Sequence, residues 1–253
     1  MIEFKNVIKQ FGEKQVLRGI SFTINEGEIV FVIGKSGIGK SVILKHIIGL
    51  MRPDSGEVWV EGQELSHFSE RQLLAIRKRV GMVFQYPALL DSLTIFDNIA
   101  FGIRAMTPEK AEGLVHQAVK EKLGLLNLHS DVLARFPSEL SYGMQKRVSL
   151  ARTLVLNPSC LLFDEPTTGL DPVNTNTVND LILRLSRALK VTSVVVSHDM
   201  HCALQIADRI LLLDQGVVVA DGTPADMVYS ENQLAAQFMR EAKEKIYGNQ
   251  DRR

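Results

Sequence analysis

Gly34-Lys35-Ser36-Gly37-Ile38-Gly39-Lys40-Ser41 satisfies the pattern G-x-x-x-x-G-K-[ST] in full, and its reading decides the fold. Glu28 to Ile33, just before it, is a short and nearly continuous apolar run, as a strand buried on both faces would be. Just after it, Val42, Ile43, Leu44, Ile47 and Ile48 are apolar at helical spacing. The octapeptide therefore joins a strand to a helix. Glycines let such a turn fold tightly, so that successive N–H groups face phosphate oxygens at a helix N-terminus that already favours anions. The stretch from Gly34 through Val42 is the expected nucleotide-binding segment, with Lys40 reaching the β- and γ-phosphates. Ser41 is expected to offer its hydroxyl to a Mg²⁺ ion accompanying the nucleotide, because Mg²⁺ takes a few protein oxygens together with phosphates and waters. The competing reading, a glycine-rich turn without a ligand, does not account for the strand before it and the helix after it.

Composition narrows the partners. The 253 residues suffice for one α/β domain with insertions or two small ones. Lys plus Arg and Asp plus Glu are both 29, so no net charge draws the chain to nucleic acid or to an anionic membrane surface. The two cysteines, Cys160 and Cys202, have no C-x-x-C spacing; they fit a reducing compartment and read as small core residues. No leader pattern opens the chain and no apolar run approaches the roughly 18 residues of a membrane span, so a soluble protein is expected.

Around this centre the chain alternates in character. Ile2 to Phe4, then Ile20, Phe22 and Ile24, then Val58 and Val60 alternate apolar and polar, which predicts a small antiparallel sheet beside the nucleotide core. Phe11, at the turn ending the first of these strands, is placed to stack on a purine base, a contact worth about 1–3 kcal/mol by analogy with other base-stacking sites. Taken alone, a core position is the commoner fate of a phenylalanine. Ser69-Glu70-Arg71-Gln72 is a capping box opening a helix through Lys78, and Val80 to Phe84 reads as a buried strand ending at Gln85. Between Gln85 and Leu140 helical signals take over: Thr94, Thr107-Pro108 and Ser141 as helix starts, and Ala111, Leu114, Val115, Ala118 and Val119 as an apolar stripe. The loop leading into this segment is unusually apolar, with Ala88, Leu89, Leu90 and Phe96, and suits either a tucked segment or a partner-binding surface. Cys160 to Glu165 is an apolar strand ending in two carboxylates. Asp171-Pro172 caps a helix with Val178, Leu181, Ile182 and Leu185 inward, and Val191 to Val196 is a strand ending at His198. Ile210 to Leu213 and Val217 to Val219 form a hairpin, and Gln233 to Arg253 becomes increasingly charged. The expected organisation is an α/β core with the antiparallel sheet over 1–85 and 155–225, an inserted helical unit over 86–154, and a helical tail over 226–253.

Removing a γ-phosphate calls for positioning and charge neutralisation more than covalent help. Asp164, at a strand end, is the expected second Mg²⁺ ligand opposite Ser41. Glu165 follows it as the general base for water, His198 as a donor to a γ-oxygen, and Gln85 as a sensor of metal and water. Each alone has an ordinary explanation as a strand-end polar residue; together they match one chemistry.

With these motifs in this order, the chain resembles the nucleotide-binding subunit of ATP-binding-cassette (ABC) transporters over essentially its whole length. Phe11 corresponds to the adenine-stacking aromatic, Gly34–Ser41 to Walker A, Gln85 to the Q-loop, Leu140 to Met144 to the signature, Leu161 to Glu165 to Walker B, Leu170-Asp171 to the D-loop, and His198 to the switch. The resemblance implies a P-loop NTPase cassette of α/β class, with a mainly parallel core sheet, a small antiparallel β subdomain and an inserted helical subdomain. It implies a head-to-tail homodimer enclosing two Mg-ATP, in which Ser141 and Gly143 cap the γ-phosphate held by the second copy and Asp171 lies in the D-loop. It implies further that Ala88, Leu89, Leu90 and Phe96 dock an integral membrane permease, at the cytoplasmic face of the inner membrane. Tyr142 and Met144 depart from the L-S-G-G-Q pattern, and a positive φ at position 142 would strain a tyrosine.

Arg77-Lys78-Arg79, Phe84-Gln85 with Ala88-Leu89, Asp91 to Ala100, and Pro137 to Ser141 with Gly143-Met144 look most like the ATPase of Mla/Mce-type phospholipid transporters. Such systems pair the ATPase with a permease, a periplasmic Mce protein and in some cases a small STAS-domain protein. An amino-acid importer is the alternative within the family, and a soluble cassette that remodels macromolecular assemblies is the alternative outside transport. A small-molecule kinase would use the phosphate cradle but has little need of Glu165, His198 and a signature helix.

Overall fold

The computed structural model describes residues 1–107, 109 and 111–247. In chain order the first half contains β1 (Ile2–Phe11), β2 (Lys14–Ile24), β3 (Ile29–Ile33), α1 (Lys40–Ile47), β4 (Ser55–Val60), β5 (Gln63–Glu64), α2 (Glu70–Arg79) and β6 (Val80–Val83). The helical segment follows as α3 (Ile95–Met106), α4 (Glu112–Leu125) and α5 (Tyr142–Leu154). The second half is β7 (Cys160–Asp164), α6 (Pro172–Leu189), β8 (Thr192–Ser197), α7 (Met200–Ile206), β9 (Arg209–Asp214), β10 (Val217–Gly222), α8 (Pro224–Val228) and α9 (Gln233–Tyr247).

Two sheets carry these elements. The larger runs β10-β9-β3-β8-β7-β6 and is parallel except for β10, which returns antiparallel to β9 through a two-residue turn. The smaller is antiparallel, in the order β2-β1-β4-β5. Every residue of β3 is buried, as expected for a strand with parallel neighbours on both edges and covered faces. Successive side chains alternate between two apolar layers. Ile29, Phe31, Ile33, Phe163 and Val195 join the layer that contains α3, α5 and α9, whereas Val30, Val32, Leu162 and Val194 join the layer beneath α1 and the antiparallel sheet. The register fixes where the strands end. Ile33 pairs with Ser197 and Asp164 with Val196, so the carboxyl ends of β3, β7 and β8 deliver their following residues to one edge.

The two sheets meet at one seam. Gln215 and Gly216 have φ of 44° and 82°, the backbone of a tight hairpin turn between β9 and β10. Gly216 offers its carbonyl to Arg18 N–H of β2 at 2.8 Å. A Cβ at Gly216 would stand 2.6 Å from the carbonyl oxygen of Val16, so the turn and β2 are pressed together at backbone level.

The helices largely follow their sequence signals. Ser69 caps α2 with Gln72 accepting from its N–H at 2.9 Å, Thr94 caps α3, Ser141 caps α5, and Asp171 caps α6 with Pro172 at the first position. Several expectations are corrected. Thr107 terminates α3 instead of starting the next helix, and its hydroxyl donates to Ile103 O, leaving Ala111 to precede α4; Pro108 lies outside the described residues. Leu114 points outward and is 52% exposed, while Val115 and Val119 carry the buried stripe of α4. β6 ends at Val83, and only Val80 in it is fully buried, because it is the edge strand of its sheet. Tyr142 occupies the first turn of α5 outside the left-handed region, so the departure from the family pattern carries no backbone strain. The charged tail begins as α9, which contributes Ala235, Phe238, Met239 and Ala242 to the core; residues 248–253 lie outside the described residues. Cys160 and Cys202 are both buried free thiols, and burial pushes the Cys160 thiol up to about 12.

Candidate active site

The loop after β3 is shaped by its glycines. Gly37 and Gly39 adopt φ of 78° and 110°, and a Cβ at Gly34 would meet the Leu213 carbonyl at 2.5 Å. Gly39 immediately precedes α1. Beside this loop lies a cleft of about 360 Å³ lined by Val16, Ser36, Gly37, Gly39, Lys40, Ser41, Val42 and Glu165. The first seven of these belong to the cradle or face it from β2, and Glu165 arrives from the end of β7. Val16 was not legible from sequence, because its place over Gly39 depends on the seam between the sheets. Its Cγ1 stands 2.7 Å from where a Gly39 Cβ would be.

Lys40 is 5% exposed, and its ammonium donates to the carbonyls of Gly34 at 2.8 Å and Lys35 at 3.0 Å. It also pairs with Glu165 Oε1 at 3.3 Å. Ser41 Oγ donates to Asp164 Oδ1 at 2.8 Å, bringing together two residues 123 positions apart. Glu165 is the hub. Its Oε2 receives His198 Nδ1 at 2.8 Å and the Thr168 hydroxyl at 3.1 Å, and its backbone sits in the left-handed region at φ 48° with its N–H donating to Val196 O. Burial pulls the Glu165 carboxyl up, but the His198 hydrogen bond and the His198 and Lys40 charges outweigh it and hold it below its ordinary value. The Glu165 hydrogen bond raises His198 above its ordinary 6.5, against the opposing effect of burial.

The remaining expected residues lie further out. Gln85 follows β6 beyond Val83, and its carbonyl oxygen is 3.5 Å from the Tyr142 hydroxyl; its side chain does not line the cleft. Phe11 is 46% exposed at the end of β1 and is likewise not a lining residue of the cleft; it belongs to no core cluster, and the Lys9 ammonium stands 5.7 Å from its ring centre. Ser141 accepts a long 3.4 Å contact from Met144 N–H as the cap of α5, and Gly143 has open space where a side chain would be. Asp171 spends its carboxylate on Val173 and Asn174 N–H at 3.0 Å each, which is a capping role.

The apolar loop is divided. Asn98, fully buried on α3, accepts from Leu90 N–H and donates to the carbonyls of Leu90, Leu93 and Thr94, fastening the loop to the helix. Leu89 and Phe96 pack against the core, Phe96 stacking on His116 with ring centres 4.2 Å apart. Ala88 has φ 49° and offers its carbonyl to Arg152, and Leu90 is 41% exposed.

A glycine cradle, a buried lysine within it, a serine joined to a strand-end aspartate and a glutamate–histidine pair on adjacent parallel strands together define a nucleotide-hydrolysing cassette. A family model described as ABC transporter matches residues 17–168, and the chain belongs to that family, as an ATP-binding subunit with ATPase activity. The chain is 40% identical over 240 residues to the intermembrane phospholipid transport system ATP-binding protein MlaF of Haemophilus influenzae, covering 95% of this chain and 90% of that protein. It is also 40% identical over 230 residues to the methionine import ATP-binding protein MetN of Carboxydothermus hydrogenoformans, covering 90% of this chain and 67% of that one. Among solved structures, the dimeric post-hydrolysis cassette MJ0796 bound to ADP and Pi matches with a TM-score of 0.80 and 31% identity, over 88% of this chain and 99% of that one. The cbiO1 subunit from Clostridium perfringens matches with a TM-score of 0.82 and 25% identity, over 92% of each chain.

Proposed function

We propose that this ATPase drives phospholipid transport across a bacterial envelope, acting as a homodimer around two Mg-ATP on an integral membrane permease. The observation that carries the chemistry is Glu165, held by Lys40 from the cradle and by His198 from the neighbouring strand. A carboxylate kept ionised by these partners can accept the proton of a water whose oxygen attacks the γ-phosphorus, while the bond to the β-bridging oxygen breaks and ADP leaves. Lys40 and His198 are the groups that the γ-phosphate oxygens would compete for. In gaining them, the phosphate would release Glu165 for its proton-accepting role. The 2.8 Å pair of hard oxygens on Ser41 and Asp164 fits Mg²⁺, which would neutralise charge on the phosphate oxygens when bound. Gln85, on the segment after β6, is proposed to report the state of this site to the loop through Leu90. Phe11 is proposed to stack on the base, and Ser141 and Gly143 to face the nucleotide of the second copy. The two halves of the core flanking 86–154 are proposed to act as one nucleotide-binding unit, with that helical segment as the signature unit and 226–253 as a tail.

Similarity to MlaF along 90% of its length, together with the residues of the docking region, supports a phospholipid cargo. The comparable identity to MetN makes a small-molecule importer the reading to be distinguished. Among the described residues no helix is long and apolar enough to cross a membrane. Purifying a Glu165→Gln variant from its native membrane and identifying co-purified subunits and lipids by mass spectrometry tests the proposal. An Mce-type protein with phospholipid, with or without a STAS-domain protein, is the expected result. Co-purification of an importer permease without lipid would overturn it.

A further inference from the structure

A cavity apart from the cradle shares none of its lining residues with the cleft there. It encloses about 490 Å³ between α5 and α6, within the range of small-molecule sites. Its walls are mainly apolar: Phe84 from the segment after β6, Leu150 from α5, Phe163 from β7, and Leu170, Val178 and Leu181 from the start of α6 and the loop before it. Val178 and Leu181 belong to the apolar stripe of α6, but only Ile182 and Leu185 of that stripe are fully buried. Val178 and Leu181 are partly buried, packing against the core and lining the cavity together with Ile182. The polar lining of the cavity includes Ser141, Tyr142, Lys146, Arg147, Asp171 and Asn174, while the apolar side chains forgo dispersion contacts that an apolar occupant would restore.

The cavity is not apolar throughout. At Arg147, Thr177 and Leu181 it adjoins a second cleft of about 250 Å³, lined also by Asp180 and Arg184. Among the described residues, neither Arg147 nor Arg184 makes an ion pair. Lys146, on the larger chamber, donates to Pro166 O at 2.7 Å, and burial lowers the hold of its ammonium on a proton. Counting Asp171 and Asp180 against Lys146, Arg147 and Arg184, the two chambers together have one excess positive charge. An apolar wall beside Arg147, which also lines the cleft of Arg184, is complementary to a molecule with an apolar part and an anionic head.

We propose that these adjoining chambers bind a single-chain amphiphilic anion, its chain against Leu150, Val178 and Leu181 and its head between Arg147 and Arg184. Because residues of both α5 and α6 line the cavity, such a ligand would contact the signature helix and the helix that follows the D-loop. The inference stands whatever cargo the permease moves.

Titration calorimetry of the full chain with decanoate, and separately with decanol, both below their aggregation limits, tests this. Decanoate is expected to bind saturably at one site and at least about tenfold more tightly than decanol, since a charge-assisted contact to a guanidinium is worth more than that factor. Arg147→Gln with Arg184→Gln is expected to abolish the preference while leaving decanol binding unchanged. Leu181→Trp, which fills the larger chamber, is expected to abolish both, with retained ATP binding showing that the variant is folded. Equal binding of acid and alcohol, an unaltered preference in the double arginine variant, binding that survives Leu181→Trp in a folded protein, or no saturable binding at all would each overturn the proposal.

Discussion

Glu165 is engaged on both oxygens, by Lys40 on one side and by His198 and Thr168 on the other, and this makes its replacement informative. Glu165→Gln retains size and hydrogen bonding but cannot accept a proton at neutral pH. Turnover is expected to fall by about two orders of magnitude or more, the usual scale for losing a general base, while ATP binding persists. Radiolabelled phosphate release together with nucleotide-binding titrations checks both halves; unchanged turnover would remove Glu165 from the role of base. The same contact gives a pH signature. A glutamate held below its ordinary 4.5 contributes stability present above that value and lost as pH falls through the lowered one. A histidine raised above 6.5 contributes stability present below that value and lost as pH rises through the raised one. The difference in melting temperature between the parent and His198→Ala is therefore expected to shrink on the alkaline side, above 6.5. The effect is modest because the His198 side chain is 48% exposed. Lys40, Ser41, Asp164, Glu165 and His198 were all legible in the sequence, because each sits next to a strand or glycine signal that fixes its place. Thr168 and Val16 were not, since one acts from an irregular loop and the other from a different sheet.

At the scale of elements, α3 illustrates both what periodicity can give and what it cannot. Thr94 and the apolar residues after it mark the helix, but the decisive residue is Asn98, a buried amide that holds the preceding loop by its own backbone. A polar residue within an apolar stripe gives no sequence signal of what it will bind. Asn98→Ala removes the acceptor of Leu90 N–H and the side-chain donor to the Leu93 carbonyl, while the Leu90 and Thr94 carbonyls keep backbone N–H donors from positions 93 and 98. It is expected to cost about 1–3 kcal/mol, lowering the melting temperature and loosening the loop to proteolysis. The apolar loop could not be resolved from sequence for a related reason: composition does not say which of Leu89, Leu90 and Phe96 faces in. Leu90→Asp is expected to leave the melting temperature nearly unchanged and to release the permease. Leu89→Asp is expected to destabilise the chain itself, because its side chain packs on the core. Thermal melts and co-purification from membranes separate the two. The shortness of β6 belongs here as well. An apolar run reads alike for a central and an edge strand, and only the sheet order decides.

For the whole molecule, the parallel order of β3, β8 and β7 was implied by continuous apolar runs followed by polar residues, and the antiparallel sheet by alternation. What the sequence could not supply was the distance between parts. Ser141 and Gly143 lie at the N-terminal end of α5 and line the cavity against α6, not the cleft of Lys40 and Glu165. If they complete the site of a second copy, Ser141→Arg in the Glu165→Gln background should block ATP-driven pairing in analytical ultracentrifugation while nucleotide binding by the single chain stays near the parental level. ATP-dependent dimers of that double variant would refute the shared-site reading.

The seam at Gly216 bears on how this protein can be engineered. A two-residue hairpin turn at the end of a sheet is ordinarily where a tag, a reporter or a new chain terminus is placed, since such tips tolerate insertion. Here the turn presses on the backbone of Val16, and Val16 lines the cradle. An insertion between Gln215 and Gly216 would reach the cradle through a single strand, so a tip that looks permissive by its position is among the worst places to open this chain.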